Sequence, residues 1–277
     1  MILIDNNQIV IACVFHIIKQ KSELDINMLR HMVLNSYRMY RKKFHKKYGE
    51  LVICHDAGNY WRKDIFPNYK LNRKKKMNQS DVEWNDIFDS LNSLREELKE
   101  NLPYKNMMVD RTEADDIIAT LAKTASSNEE IMIVSSDKDL KQLLVYSNVS
   151  QYSPTKKYFL ECEDPERSLI EHIIRGDSSD GVPNLFSDDD AIINESKRQT
   201  PCRANKIKEV FENLDEWSNK YEWKRNQALI DLNFIPEEYE VAILEEFKKE
   251  VKGKRKNLLN YFIKYNLKNF VDHIEEF

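Results

Sequence analysis

Glycine is scarce in this chain: five occur in 277 residues, at 49, 58, 176, 181 and 253, with no two closer than five positions. That excludes both the Gly-x-Gly-x-x-Gly dinucleotide fingerprint and the glycine-rich phosphate loop. The four cysteines (13, 54, 162, 202) lie far apart and never form Cys-x-x-Cys, and the six histidines form no His-Glu-x-x-His. A zinc site and a disulfide framework therefore lack a basis, which fits a reducing compartment. Long hydrophobic runs are missing too. The longest near-apolar stretch, 9–18, contains a histidine and is too short to span a bilayer, so a soluble, cytoplasmic protein without membrane contact is expected. Nor is there an excess of positive charge: 43 basic side chains face 47 acidic ones, a formal net charge of −4. A globally basic nucleic-acid binder is excluded, but a locally basic one is not.

What is present is enough to build a core, with 41% hydrophobic and 32% charged residues. The first half alternates strand and helix patterns. Short apolar runs at 2–4, 51–54, 107–109 and 131–134 read as buried strands. Between them, apolar residues at 26, 29, 33, 37, 40 and 44 mark one helix face that ends at Gly49. Ser80-Asp81 offers an N-cap for a second helix carrying Trp84, Ile87, Phe88, Leu91, Leu94 and Leu98, and a third is expected from 113 to 123. Strands alternating with helices predict an α/β fold with a mostly parallel sheet covered on both faces. Strand patterns stop near 164, so the expected division is an α/β domain, 1–163, and a helical region, 164–277. The stretch 59–79 has no apolar periodicity and reads as a loop or a lightly packed arch.

The informative residues are acidic. Asp5 ends the first strand, Asp56 follows the second, and Asp137 and Asp139 follow the fourth. Glu113, Asp115 and Asp116 open a helix, and Asp177 and Asp180 share a turn. In open α/β sheets ligands bind beyond the carboxyl ends of the strands. If these side chains converge there, they need compensation, because two carboxylates ~4 Å apart repel by about 4 kcal/mol at an effective dielectric near 20. Hard divalent cations, Mg²⁺ or Mn²⁺, are the obvious partners, and two of them would suit displacement at a phosphodiester. Taken singly, each acid fits a turn or a helix cap equally well; the joint pattern carries the inference.

Bases cluster beside these acids. Residues 62–76 hold Arg62, Lys63, Lys70, Arg73, Lys74, Lys75 and Lys76 against one acid, Asp64, with Tyr60, Trp61, Phe66 and Tyr69 interleaved. A second run, 38–47, has six bases and no acid. Lysine and arginine give salt-sensitive, sequence-independent phosphate affinity, and aromatics can stack unpaired bases. Arg62 and Lys70 are placed to neutralise charge developing on a scissile phosphate, and Asp137 is expected to be catalytic as one of the acids.

These segments, in order, resemble the flap endonuclease/5′-nuclease family with its PIN-like fold. The resemblance runs through Leu3-Ile4-Asp5, His55-Asp56, Tyr60-Trp61-Arg62-Lys63-Asp64, Tyr69-Lys70-Leu71-Asn72-Arg73, Glu113-Ala114-Asp115-Asp116, Ser135-Ser136-Asp137-Lys138-Asp139 and Gly176-Asp177-Ser178-Ser179-Asp180. Leu229-Ile230-Asp231, Phe234-Ile235-Pro236 and the ending Ile274-Glu275-Glu276-Phe277 are similar to its T-even-type bacteriophage ribonuclease H branch. The resemblance implies a metal-dependent 5′-to-3′ exonuclease and flap endonuclease that acts on DNA duplexes and RNA–DNA hybrids and removes RNA primers in phage replication. It implies Asp5, Asp56, Glu113, Asp115, Asp137 and Asp139 as inner metal ligands, Asp116, Asp177 and Asp180 as outer ones, and 59–80 as an arch over a 5′ single strand. It also implies contacts with a single-stranded-DNA-binding protein and a sliding clamp, by a monomer.

The family's glycine-rich hairpin after Gly-Asp-x-x-Asp is replaced here by Leu185-Phe186-Ser187-Asp188-Asp189-Asp190, whose acids would repel phosphate. The duplex grip of a helix-hairpin-like element is expected instead at a helix opening at Thr200-Pro201, with Arg203, Lys206 and Lys208 nearby. Two other functions fit less of the pattern: a PIN-like endoribonuclease on single-stranded RNA, and a non-catalytic DNA-binding accessory protein.

Overall fold

The computed structural model describes residues 1–21, 23–79, 82–125 and 129–277; the side chains of Lys21 and Lys76 are also outside the description, as is the expected Ser80-Asp81 cap. Six strands form one sheet: β1 (Ile2–Asp5), β2 (Leu51–Cys54), β3 (Lys105–Met107), β4 (Ile131–Val134), β5 (Val149–Ser153) and β6 (Tyr158–Leu160). Their order is β3-β2-β1-β4-β5-β6, with β6 antiparallel to β5 and every other pairing parallel. The chain leaves β1 for β2 on one side and later returns to place β4 on the other. The strand order therefore reverses between β1 and β4, which makes a crevice at their carboxyl ends.

The helices are α1 (Asn6–Lys21), α2 (Ile26–Tyr48), α3 (Arg62–Ile65), α4 (Leu71–Asn78), α5 (Trp84–Asn101), α6 (Ala114–Ala125) and α7 (Pro165–Arg175). They continue with α8 (Ala204–Glu212), α9 (Leu214–Trp217), α10 (Tyr221–Ile230), α11 (Glu237–Lys248), α12 (Leu258–Lys264) and α13 (Lys268–Val271). The local chemistry explains their ends. Asp25 accepts hydrogen bonds from the backbone N–H groups of Asn27 and Met28 to start α2, and Gly49, at φ 80°, closes it. Asp164 caps α7, with Pro165 in its first turn.

Alternation along the strands splits the core in two. Ile2, Ile4, Leu51, Ile53, Met132 and Val134 face one layer with α1, α2, α5 and the C-terminal helices. Leu3, Val52, Cys54, Ile131 and Ile133 face the other, against α6 and α11. A third cluster joins Phe66 and Tyr69 to α7, α8 and α10. This corrects the expectation of a lightly packed 59–79 segment. Trp61, Phe66 and Tyr69 are buried, so three of the four aromatics expected to stack bases are part of the core. Helix α1 and strands β5 and β6 escaped the sequence analysis, and β3 lies two residues earlier than expected.

Candidate active site

The carboxyl edge of the sheet gathers the acids. Asp5 ends β1 at the switch point, Asp56 lies just past β2, Glu113 and Asp115 stand at the start of α6 after β3, and Asp137 and Asp139 follow β4. Hydrogen bonds fix several of them: the Gln8 N–H reaches Asp5 Oδ1 at 3.3 Å, and Glu113 is engaged at Oε1 by Lys70 and at Oε2 by Arg62 and Tyr69. The Ser135 hydroxyl donates to Asp5 Oδ2 at 2.8 Å and accepts from the Asp137 N–H at 3.0 Å. The Ala114 N–H donates to Asp56 Oδ1 at 2.7 Å. The Asp139 N–H donates to Asp137 Oδ1 at 2.9 Å. Buried Gln151, on β5, props this loop by donating to the carbonyls of Ser135 (3.0 Å) and Asp137 (2.7 Å). Asp5 and Asp137 therefore do bond local backbone N–H groups as cap or turn residues would, and this coexists with convergence.

Titration behaviour separates two kinds of carboxylate. Desolvation, then the charges of Asp56 and Asp137, push Asp5 up to about 6. Desolvation and Asp137 push Asp139 up to about 7. Desolvation, Asp137 and Asp5 hold Asp115 well above its ordinary value, and desolvation raises Asp56. Glu113 and Asp177 behave oppositely. Burial alone would raise both, but Lys70 and Arg62 outweigh it at Glu113, and hydrogen bonds from His172, Ser179 and Lys138 outweigh it at Asp177.

Alongside runs a saturated ionic network. Arg62, 2% exposed, donates Nη2 to Asp116 Oδ1 at 2.7 Å, Nη1 to Asp116 Oδ2 and Glu113 Oε2, both at 2.9 Å, and Nε to the Leu229 carbonyl. Trp61 Nε1 and the Glu113 N–H also donate to Asp116 Oδ2. The guanidinium expected to face a phosphate is thus enclosed by protein. Asp116, expected as an outer metal ligand, has both oxygens committed to these donors. Lys70 differs: its Nζ bonds Glu113 and lies 3.5 Å from Asp180, at the rim of the acidic group. Its backbone is left-handed, φ 57°, and its N–H is anchored by the Asp180 carbonyl at 2.7 Å.

The turn after α7 completes the site. Gly176 has φ 64°, and a Cβ there would meet the carbonyls of Val182 and Pro183 at 2.5 Å, so only glycine delivers Asp177 to this position. Asp177 faces Asp139 across His172, a residue the sequence analysis passed over because no motif marks it. The His172 ring nitrogens lie 3.5 Å from Asp139 and 3.3 Å from Asp177, and the three side chains could share one metal ion. Asp139 Oδ1 is buried and, among the described residues, has no hydrogen-bond partner, a donor-free oxygen of the kind that suits a cation. The donor set of carboxylates and one imidazole fits a divalent cation.

The bases are used unevenly. Arg73 donates to the Ser179 carbonyl at 3.1 Å and pairs with Asp180. Lys75 donates to the Ile193 carbonyl at 2.8 Å, Lys63 lies 5.2 Å from the Tyr60 ring centroid, and Lys74 is exposed on α4. In the 38–47 run, Arg38 and Lys42 pair with Glu276 and Arg41 with Glu50, so much of it holds the fold together. Helix α8 begins at Ala204, not at Thr200-Pro201; the Thr200 carbonyl and N–H are bonded to Asn184 and Ser187. Arg203 precedes α8, Lys206 lies over Phe186, and Lys208 is 3.5 Å from Glu212. The acids expected to repel phosphate are paired within the protein: Asp188 and Asp190 share Lys197, and Asp189 pairs with Arg225. A cavity of about 590 Å³ opens beside Asp56, between α1 and α5, with Asn6, Tyr60, Phe88 and Arg95 on its walls.

Comparison with known proteins agrees with this geometry. Residues 1–169 match the family described as 5′-3′ exonuclease, N-terminal resolvase-like domain, and residues 163–277 match T4 RNase H, C terminal. Ribonuclease H of Enterobacteria phage T4 is 32% identical over 99% of this chain and 95% of its own length. Flap endonuclease Xni of Shewanella halifaxensis is 31% identical over 60% of this chain and 65% of its own. Among solved structures, the bacteriophage T5 flap endonuclease in a pseudo-enzyme–product complex with DNA and metal ions superposes with a TM-score of 0.63 at 17% identity, covering 99% of this chain and 98% of that one. The bacteriophage T5 5′-exonuclease with bound zinc gives 0.61 at 19% identity, covering 91% and 95%. Both share the fold.

Proposed function

The chain belongs to the flap endonuclease/5′-nuclease family, in its ribonuclease H branch, and from that premise we propose a divalent-metal-dependent 5′-to-3′ exonuclease and flap endonuclease acting on DNA duplexes and RNA–DNA hybrids. The observation that carries the proposal is the set of raised, mutually repelling carboxylates at the β1/β4 switch point, bordered by a basic, folded arch. Two ions are proposed, one among Asp5, Asp56, Glu113, Asp115 and Asp137, the other at Asp139, His172 and Asp177 with Asp180 beside them. Bound Mg²⁺ or Mn²⁺ would supply the positive charge that activates water and offsets the phosphate.

The chain's own side chains do the rest. Lys70 places a cation at the rim, where it stabilises charge developing on the phosphate. Arg62 and Asp116 act as positioning residues: their network fixes the start of α6 and thereby aims Asp115. The cavity beside Asp56 has room for an unpaired strand, and Lys63, Arg73, Lys74 and Lys75 would line its approach, with Arg203, Lys206 and Lys208 toward the duplex. In this proposal 1–163 is the nuclease unit with its arch at 59–80, and 164–277 is the DNA-binding region. Primer removal in phage replication, in the host cytoplasm, by a monomer that meets a single-stranded-DNA-binding protein and a sliding clamp, follows from the family alone.

A labelled 5′-flap duplex, an RNA–DNA hybrid and a single-stranded RNA, each incubated with Mg²⁺ and with chelator, test the activity. Short 5′ products from the two duplexes only with metal are expected; degradation of the single-stranded RNA alone would overturn the assignment.

A further inference from the structure

The acids of the first proposed ion site offer oxygen only. The second differs by one side chain. Asp177 Oδ1 is occupied by the Ser179 N–H (2.8 Å) and hydroxyl (2.6 Å), so its Oδ2 alone faces inward, toward His172 Nε2 at 3.3 Å. With Nε2 donating to Asp177, Nδ1 turns its lone pair toward Asp139 Oδ1, 3.5 Å away. That oxygen is buried and receives no hydrogen bond among the described residues. Two lone pairs facing each other at this distance are reconciled by a cation between them. Lys138 also reaches Asp177 Oδ2, at 2.9 Å, but it is largely exposed and can swing into solvent when an ion arrives. His55, the other histidine near the acids, is not a competitor: its ring nitrogens contact Asn6 and Asn106, both at 3.2 Å.

We propose that His172 gives a nitrogen ligand, through Nδ1, to a cation at Asp139 while Asp177 holds the ring through Nε2, so that this site favours a transition ion such as Mn²⁺ over Mg²⁺. Imidazole is a borderline donor that suits first-row transition metals, whereas Mg²⁺ prefers oxygen and gives up water reluctantly. The proposal rests on the metal-dependent nuclease assigned above and adds a division of labour between its two sites: an all-oxygen site open to Mg²⁺, and a mixed site that discriminates.

The test uses the intact, metal-free protein titrated with Mn²⁺, with pulsed electron paramagnetic resonance to detect ¹⁴N coupling to the bound ion. The expected result is imidazole nitrogen coupling in the wild type and its loss in His172→Gln, which keeps an oxygen donor. The variant should also lose at least about tenfold in Mn²⁺ affinity at one site, with Mg²⁺ competition at the other site unchanged. Bound Mn²⁺ without nitrogen coupling in the wild type would overturn the proposal and leave the nuclease assignment standing, since a proton on Nδ1 would then be what joins the ring to Asp139. Equal coupling in His172→Gln would overturn it as well. Failure of the wild type to bind Mn²⁺ at all would remove both. Because the coupling is read on the wild type, the test survives a poorly folding variant.

Discussion

Asp115 and Asp116 are neighbours in sequence, at the start of one helix, and live in opposite chemical worlds. Asp116 is 0% exposed and is held by Arg62, Trp61 and the Glu113 N–H. Asp115 points into the acidic group, where desolvation, Asp137 and Asp5 raise its affinity for a proton. One carboxylate is locked by partners inside the protein; the other awaits a partner from outside. The same contrast divides the whole site into a saturated ionic network that builds and an unsaturated group of acids that binds. Charge counting cannot separate them, because both are acids beside bases; only the count of donors around each oxygen does.

The contrast breaks most visibly at Asp137. Asp137→Asn keeps the Asx bond to the Asp139 N–H but removes a charge from the binding group. Cleavage of a 5′-flap should fall by about 10³-fold or more, roughly 4 kcal/mol in the barrier, while flap binding persists or tightens. Single-turnover cleavage beside anisotropy measures both, and wild-type turnover would place the chemistry elsewhere. Arg62→Ala tests the other half. It leaves Asp116 buried and unpaired, a loss of about 3–5 kcal/mol. Thermal or denaturant unfolding should show it, and a variant that stays fully stable but inactive would make Arg62 catalytic after all.

Much of this was legible in the sequence because spacing encodes it. Asp5, Asp56 and Asp137 each follow an apolar run, and a parallel sheet sends all such ends to one edge. The helix from 26 to 48 was visible from its 3.6-residue period and its terminal glycine. Other features were hidden for physical reasons. His172 sits on α7 with no motif around it, and only the packing of α7 against the 3₁₀ turn at Asp139–Val145 brings it to Asp139. Trp61, Phe66 and Tyr69 look like a stacking platform in a basic segment, but α7, α8, α10 and α11 fold over them, an event set by residues more than a hundred positions away. Arg62 resembles an anion clamp until Asp116, Glu113 and Leu229 close around it.

A smaller effect sharpens the contrast through pH. An aspartate in the unfolded chain titrates near 3.9, whereas Asp5 titrates at about 6 and Asp139 at about 7 in the fold. Between about pH 4 and 7 the folded state therefore holds protons that the unfolded state has released, and stability falls as pH rises. For Asp5 the loss is on the order of 3 kcal/mol once pH exceeds its folded value. Glu113 and Asp177, whose values are lowered, act in the opposite sense, losing stability as pH falls below about 4. Melting in chelator should thus drop from pH 5 to 7.5, and Mg²⁺ should restore it by binding only the fold. A flat profile would mean the acids are neither desolvated nor close enough to repel. At pH 7.5 in chelator, Asp115→Asn should add about 1–2 kcal/mol of stability while ending cleavage, and Asp116→Asn should subtract stability. Equal signs for these adjacent substitutions would erase the distinction between binding and building carboxylates.

The smallest expected effect lies among the bases, where the same distinction applies. Lys74 is exposed on α4, whereas Lys43 lies 3.7 Å from the Tyr152 ring centroid, within a run otherwise rich in structural pairs. If only bases left open by the fold contact phosphate, Lys74→Ala should weaken flap binding a few-fold and lower the slope of log affinity against log salt by about 0.7–0.9, the share of one phosphate contact. Cleavage of bound substrate should not change, because Lys74 pairs with none of the site's acids among the described residues. Lys43→Ala should leave the slope as it is. Anisotropy titrations of a 5′-flap between 50 and 200 mM salt decide this, and equal slope changes in the two variants would show that the whole basic face, paired or not, meets the nucleic acid.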